Sequence, residues 1–204
     1  MTVADRRRGA PRRGVKGVRR RAAFLDRDGV LNYSYERAGR LYAPRRLQDF
    51  RLLPGVREAV SKLRRAGYLI VVVTNQPDIG NGIIARAEVE AMNRRLIARI
   101  APDAVEMCPH AQDAGCICRK PLPGMLLRSA ERLNIDLSRS VMIGDRGSDI
   151  VAGAAAGCYT VWIRRRVVGT AGFRPGSVAF CLVGAAQMVP KRRQRLAHGR
   201  RGWQ

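Results

Sequence analysis

The chain has 204 residues, of which 46% are apolar and 27% charged. That length and apolar share exclude an intrinsically disordered chain and allow one domain with an ordinary core. No apolar run reaches the ~18 residues that a membrane-spanning helix needs.

Lys and Arg number 39 against 16 Asp and Glu, a formal net charge of +23. Much of that excess sits at the ends, with a net of +8 in residues 1–21 and +6 in residues 187–204. The charge predicts basic, poorly ordered tails at 1–21 and 187–204 around a domain at 22–186. Contact of the tails with nucleic acid is the functional alternative. Arg6, Arg7 and Arg8 are not followed by an apolar segment, so no secretory signal is expected. Five cysteines in such a chain point to a reducing compartment, the cytoplasm.

In chain order, Arg21–Leu25 is a short apolar run ending at Asp26. Residues 55–66 carry helical spacing through Val56, Ala59, Val60 and Leu63, and Gly67 ends the helix. Residues 68–73 are a continuous β-branched run, as in a strand buried on both faces. A helix is expected over 86–100, a strand over 104–107 and a helix over 124–133. A strand follows at 140–143, a helix at 150–156 and a strand at 159–163. Residues 33–50 are expected as a loop, and 77–107 as one helix and one strand. The alternation predicts an α/β domain with a mainly parallel sheet between helices on both faces and no large cap domain.

Ligands of such sheets sit at the carboxyl ends of the strands. There the sequence places Asp26-Arg27-Asp28-Gly29, Thr74-Asn75-Gln76, Arg119-Lys120-Pro121 and Gly144-Asp145-Arg146-Gly147-Ser148-Asp149. Close carboxylates repel unless a cation sits between them, and an acid-rich oxygen cluster suits Mg²⁺. Lys120 and the Thr74 hydroxyl add donors for phosphate oxygens. The set reads as metal-assisted phosphoryl transfer to an aspartate.

A second cluster is Cys108-Pro109-His110, five residues, then Cys116-Ile117-Cys118. Three thiolates and an imidazole suit a closed, structural Zn²⁺ site that pins a loop. Cys158 and Cys181 are expected as small core residues.

The motifs Asp-x-Asp-Gly-x-Leu at 26–31, Thr-Asn-Gln at 74–76, Lys120 and Gly-Asp-x-x-x-Asp at 144–149 resemble the haloacid dehalogenase superfamily of phosphatases. The resemblance implies its Rossmann-like three-layer α/β/α fold. It makes Asp26 the nucleophile that forms an aspartyl-phosphate, and Asp28 the general acid and then base. It implies Mg²⁺ on Asp26, the backbone carbonyl of Asp28, and Asp145. Thr74 and Lys120 then bind the transferring phosphoryl group, and Asp149 orients the metal shell or Lys120. For Asp149 the alternative is a helix N-terminal acid stabilised by the dipole.

Cys-x-His, then Cys-x-Cys-Arg-Lys-Pro, is similar to a zinc-containing branch of that superfamily acting on heptose bisphosphate or histidinol phosphate. That likeness puts Asn75, Gln76, Arg119 and Arg146 on substrate. Pro77-Asp78 departs from the branch's pattern of a small residue and glycine. The implied substrate is a small sugar phosphate handled by a monomer at an open site, fenced by residues 33–44 and the zinc loop. A phosphatase of polynucleotide ends, held through the basic tails, is the alternative from another class. Low aromatic content, 5%, argues against a base-stacking platform.

Overall fold

The computed structural model describes residues 18–37, 40–164 and 175–189. Its first strand, β1 (Arg21–Leu25), is flanked by β4 (Tyr68–Asn75) and β6 (Val141–Gly144). With β5 (Ala104–Cys108), β7 (Tyr159–Ile163) and β8 (Ser177–Ala179) they form a six-stranded sheet in the order β5-β4-β1-β6-β7-β8. Every pairing in it is parallel.

Strand alternation sorts the core into two halves. Ala23, Leu25, Ile70, Val72, Val141 and Ile143 face one side. There they meet α1 (Val56–Arg65), α3 (Arg86–Ile100) and a helical segment at 182–189. Ala22, Phe24, Leu69, Val71, Val73 and Met142 face the other, against α4 (Gly124–Leu133) and α5 (Gly147–Ala155). This is the expected three-layer arrangement. The spacing that predicted α1 is also its buried stripe: Val56, Ala59, Val60 and Leu63. Gly67, at φ +83, makes the left-handed turn into β4.

Several segments differ from expectation. Residues 33–50 are not only loop: β2 (Tyr35–Arg37) and β3 (Arg40–Tyr42) pair antiparallel, and a 3₁₀ turn covers Leu47–Asp49. The interval 77–107 holds a further one-turn helix, α2 (Pro77–Gly80). Beyond residue 163 the chain adds β8 and the segment at 182–189, whose Leu182, Ala185, Ala186 and Val189 are buried. Cys158 is buried as expected, but Cys181 is exposed, just ahead of that segment. The expected tails lie mostly outside the described residues. Where described, Arg21 already pairs in β1 and Val189 already belongs to the core.

Between β1 and β4 the described chain adds only the β2–β3 hairpin, the 3₁₀ turn and α1. Between β4 and β5 it adds only α2 and α3. No cap domain is built from these segments. Among the described residues no helix is long and apolar enough to cross a membrane.

Candidate active site

Register brings the carboxyl ends of β1, β4 and β6 side by side: Leu25 is level with Val72 and with Ile143. The Asp26 amide donates to the Ile143 carbonyl at 3.0 Å, tying the first acid to the neighbouring strand. Lys120 enters from the loop ahead of α4 and is buried. Its Nζ lies 2.7 Å from Asp26 Oδ1, 2.6 Å from Asp149 Oδ1 and 2.8 Å from the Val73 carbonyl. Those three acceptors use all the donors an ammonium has. Burial works to strip the Lys120 proton, but the Asp149 and Asp26 carboxylates outweigh it and hold the group charged, above the ordinary lysine range. Burial pushes the Asp26 carboxyl up to about 6; Lys120 pulls it down, while Asp149 and Asp28 push it further up.

Asp26, Asp145 and Asp149 each offer a carboxylate oxygen, all within 4.8 Å of one another. Asp26 and Asp145 bring hard carboxylate oxygens together, which suits Mg²⁺, while both Asp149 oxygens are engaged, Oδ1 by Lys120 and Oδ2 by the Arg146 amide. The Asp28 carboxylate stands outside this trio. Asp145 is fixed from behind: the Trp162 indole N–H donates to its carbonyl at 3.2 Å.

The N-terminus of α5 places Asp149 twice over. Its Oδ2 accepts from the Arg146 amide at 3.0 Å as a helix cap, and its Oδ1 pairs with Lys120. The dipole reading and the lysine-orienting reading therefore describe the same side chain.

Asp28 is surrounded differently. Its Oδ1 accepts from Asn32 Nδ2 at 2.9 Å, and its Oδ2 from Gln76 Nε2 at 2.7 Å. Thr74 Oγ1 stands 3.4 Å from Oδ2. Arg27, fully buried, lies 3.1 Å from the same carboxylate.

The residues expected on substrate divide. Asn75 spends its carboxamide on Lys120: Oδ1 accepts from the Lys120 amide at 3.1 Å and Nδ2 donates to the Lys120 carbonyl at 3.0 Å. Gln76 is buried and donates to Asp28 and to Thr74 Oγ1. Both amides are thus bonded to Lys120, Asp28 and Thr74. Arg146 Nη2 donates to the Leu41 carbonyl at 2.9 Å, joining α5 to the hairpin. Arg119 alone has a buried nitrogen, Nη1, with no hydrogen-bond partner among the described residues.

The cysteine loop gathers its four side chains as expected. Cys108 Sγ lies 3.6 Å from His110 Nδ1 and 3.6 Å from Cys116 Sγ. Cys118 Sγ lies 3.2 Å from His110 Nδ1 and 3.5 Å from Cys116 Sγ. A tetrahedron built on Zn–S and Zn–N bonds of about 2.3 and 2.0 Å has edges of about 3.5–3.8 Å, within a few tenths of an ångström of these separations. The donor set and its spacing therefore fit Zn²⁺ with no position left open. The loop is coupled to its neighbours: a Cβ on Gly80 of α2 would fall 2.3 Å from the Ala111 amide nitrogen. Asn81 Nδ2 donates to Gln112 Oε1, and Asp78 of α2 pairs with Arg45 beyond the hairpin at 2.8 Å. Pro77-Asp78 thus opens a short helix that packs on the cysteine loop and pairs with Arg45.

Sequence reasoning missed Arg27 and Asn93. Arg27 stands between two acids that were singled out, but arginines are common in this chain and usually solvated. Asn93 lies inside α3, far from any motif.

The haloacid dehalogenase-like hydrolase family model matches residues 12–157. The D-glycero-β-D-manno-heptose-1,7-bisphosphate 7-phosphatase of Vibrio cholerae is 39% identical over 151 residues, 68% of this chain and 78% of the relative. That of Rhodopseudomonas palustris is 39% identical over 153 residues, 68% of this chain and 81% of the relative. A crystal structure of D,D-heptose 1,7-bisphosphate phosphatase from B. bronchiseptica, complexed with magnesium and phosphate, superposes with a TM-score of 0.73 at 31% identity. The match covers 84% of this chain and 99% of that one. The chain belongs to the haloacid dehalogenase-like hydrolases.

Proposed function

We propose that this haloacid dehalogenase-like hydrolase is a Mg²⁺-dependent phosphatase that removes the 7-phosphate of D-glycero-D-manno-heptose 1,7-bisphosphate through an aspartyl-phosphate on Asp26. The observation that carries the chemistry is the division between the two carboxylates. Asp26 sits with Lys120 at the acid trio, while Asp28, two residues on, lies outside the trio among neutral and cationic donors.

In the first step Asp26 attacks phosphorus, and the bond from phosphorus to the sugar oxygen breaks. Asp28 passes its proton to that oxygen, and the alcohol leaves. In the second, Asp28 takes a proton from water, the water oxygen bonds to phosphorus, and the bond to Asp26 breaks. Inorganic phosphate leaves and both acids are restored. Asp26, Asp145 and the Asp28 carbonyl would hold a Mg²⁺, which would supply positive charge for the phosphoryl oxygens and favour the ionised form of Asp26. Lys120 adds a fixed ammonium beside Asp26, and Thr74 a hydroxyl beside Asp28. The buried, unpartnered Nη1 of Arg119 supports a contact from that residue to a substrate oxygen.

The choice of heptose bisphosphate over histidinol phosphate or polynucleotide ends rests on the named relatives and on the lack of a cap domain in the described segments. The enzyme acts as a cytoplasmic monomer in this reading. The test compares kcat/KM for heptose bisphosphate, histidinol phosphate and a 3′-phosphorylated oligonucleotide, with Asp26→Asn as control. Preference for either of the last two overturns the substrate; phosphate release by Asp26→Asn at the wild-type rate overturns the mechanism.

A further inference from the structure

Arg27 is fully buried, and its guanidinium is held on three sides. Its Nε lies 3.2 Å from Asp28 Oδ2 and 3.3 Å from Oδ1, with Nη2 3.2 Å from Oδ1. Its Nη1 donates to Asn93 Oδ1 at 2.8 Å, and its Cζ stands 5.7 Å from the Phe50 ring centroid. A buried cation persists only where its charge and donors are matched. Here the ionised Asp28 supplies the charge and accepts from Nε and Nη2, and Asn93, from the middle of α3, accepts from Nη1. Having no exposed surface, Arg27 cannot reach substrate; what it does for the reaction it does through Asp28.

We infer that Arg27 is a positioning residue that aims the Asp28 carboxyl at the departing sugar oxygen, with Asn93 as its anchor on α3. The inference rests on the reading of Asp28 as proton carrier given above. A general acid transfers its proton only across hydrogen-bond distance, and small errors of placement cost large factors in rate. Asp28 must exchange a proton twice per turnover while both its oxygens stay registered. Asn32 on Oδ1 and Gln76 on Oδ2 set the plane from the front. The guanidinium edge fixes it from behind, and its rigid fork keeps its own orientation only while Nη1 is tied down. Asn93 thereby links α3, which carries no family motif, to the proton step.

The experiment measures single turnovers with enzyme in excess, on heptose bisphosphate and on p-nitrophenyl phosphate. The sugar alkoxide needs a proton to leave, whereas nitrophenolate leaves without one. Asn93→Ala is expected to slow the first step on the heptose substrate on the order of tenfold, with nitrophenol release changed by less than about twofold and KM held. Arg27→Lys is expected to give the same split, milder than Arg27→Met. Asn93→Ser, which keeps a small polar group, is expected to retain more activity than Asn93→Ala, and it carries the test should the Arg27 variants not fold. Equal slowing of both substrates, or no slowing of either, by the Asn93 variants overturns the inference. Asp28→Asn separates the two levels. If it fails to split the substrates, the proton-carrier reading falls and takes the inference with it. If it splits them and the Asn93 variants do not, only the inference falls.

Discussion

The Asp145 carboxylate fills the space that a side chain on Gly29 would need: a Cβ there would lie 1.9 Å from Asp145 Oδ2. The backbone at Gly29, with φ +96, is also a conformation that other residues adopt only under strain. The glycine of the first motif is thus the floor on which an acid of the last motif rests.

Gly29→Ala should therefore push Asp145 out of the acid trio. Phosphate release should fall by ~100-fold or more at low Mg²⁺, and the strained backbone should cost ~1–3 kcal/mol of stability. Turnover against Mg²⁺ concentration, beside a denaturant melt, checks both. A variant with the wild-type Mg²⁺ dependence would remove Asp145 from the ion's ligands.

Lys120→Met should leave Asp26 and Asp149 facing each other with no cation between them. Breaking a buried pair of this kind costs ~3–5 kcal/mol. Melts in chelator should show a large loss, partly recovered by Mg²⁺. Turnover should drop by on the order of 1,000-fold even with Mg²⁺ saturating, because the proposed mechanism also sets the ammonium on the phosphoryl group.

The pH dependence follows from Asp26, whose carboxyl is raised from 3.8 to about 6, chiefly by burial. A carboxyl with a raised folded-state value favours the folded protein when protonated. Its contribution is complete below 3.8 and is lost as pH rises through about 6. In chelator, the contribution of this group to the melting temperature should fall across that window. Mg²⁺ competes with the same proton, so the gap between melts with and without Mg²⁺ should widen from about pH 5 to about pH 7. A gap independent of pH would show that Asp26 does not ligate the ion.

Thiol chemistry tests the cysteine loop. In zinc-loaded native protein only Cys181 is expected to react quickly with a disulfide reagent. It is exposed, whereas burial pushes the Cys158 thiol up to about 12 and three thiols are engaged by the ion. Chelation should release about one zinc per chain and expose further reactive thiols. It should also raise KM more than it lowers kcat, since the loop packs on Gly80 of α2 and bonds Asn81 just after it, a few residues from Gln76 and its bond to Asp28. Several fast thiols before chelation would contradict the metal site.

How much was legible in the sequence differs by element. The long buried strand β4 and the stripe of α1 declared themselves because periodicity over eight or ten residues is a local property. β2, β3 and β8 are three residues each, too short for a period to register. Cys181 was misplaced because its composition suits a core, while its exposure depends on how the last helical segment lies against the sheet.

The acids, Thr74 and Lys120 could be read in advance because a parallel sheet delivers whatever follows its strands to one edge. Sequence order alone therefore determined which side chains gather. It could not say what each would hold. Asn75 and Gln76 were expected on substrate; the fold turned one to the Lys120 backbone and the other to Asp28. Arg27 and Asn93 lie 66 residues apart and touch only because α3 packs back over the end of β1. Strand and helix periods are written in neighbouring residues, whereas the partner of a buried charge is chosen by packing across the whole chain, and that choice exists only once the chain has folded.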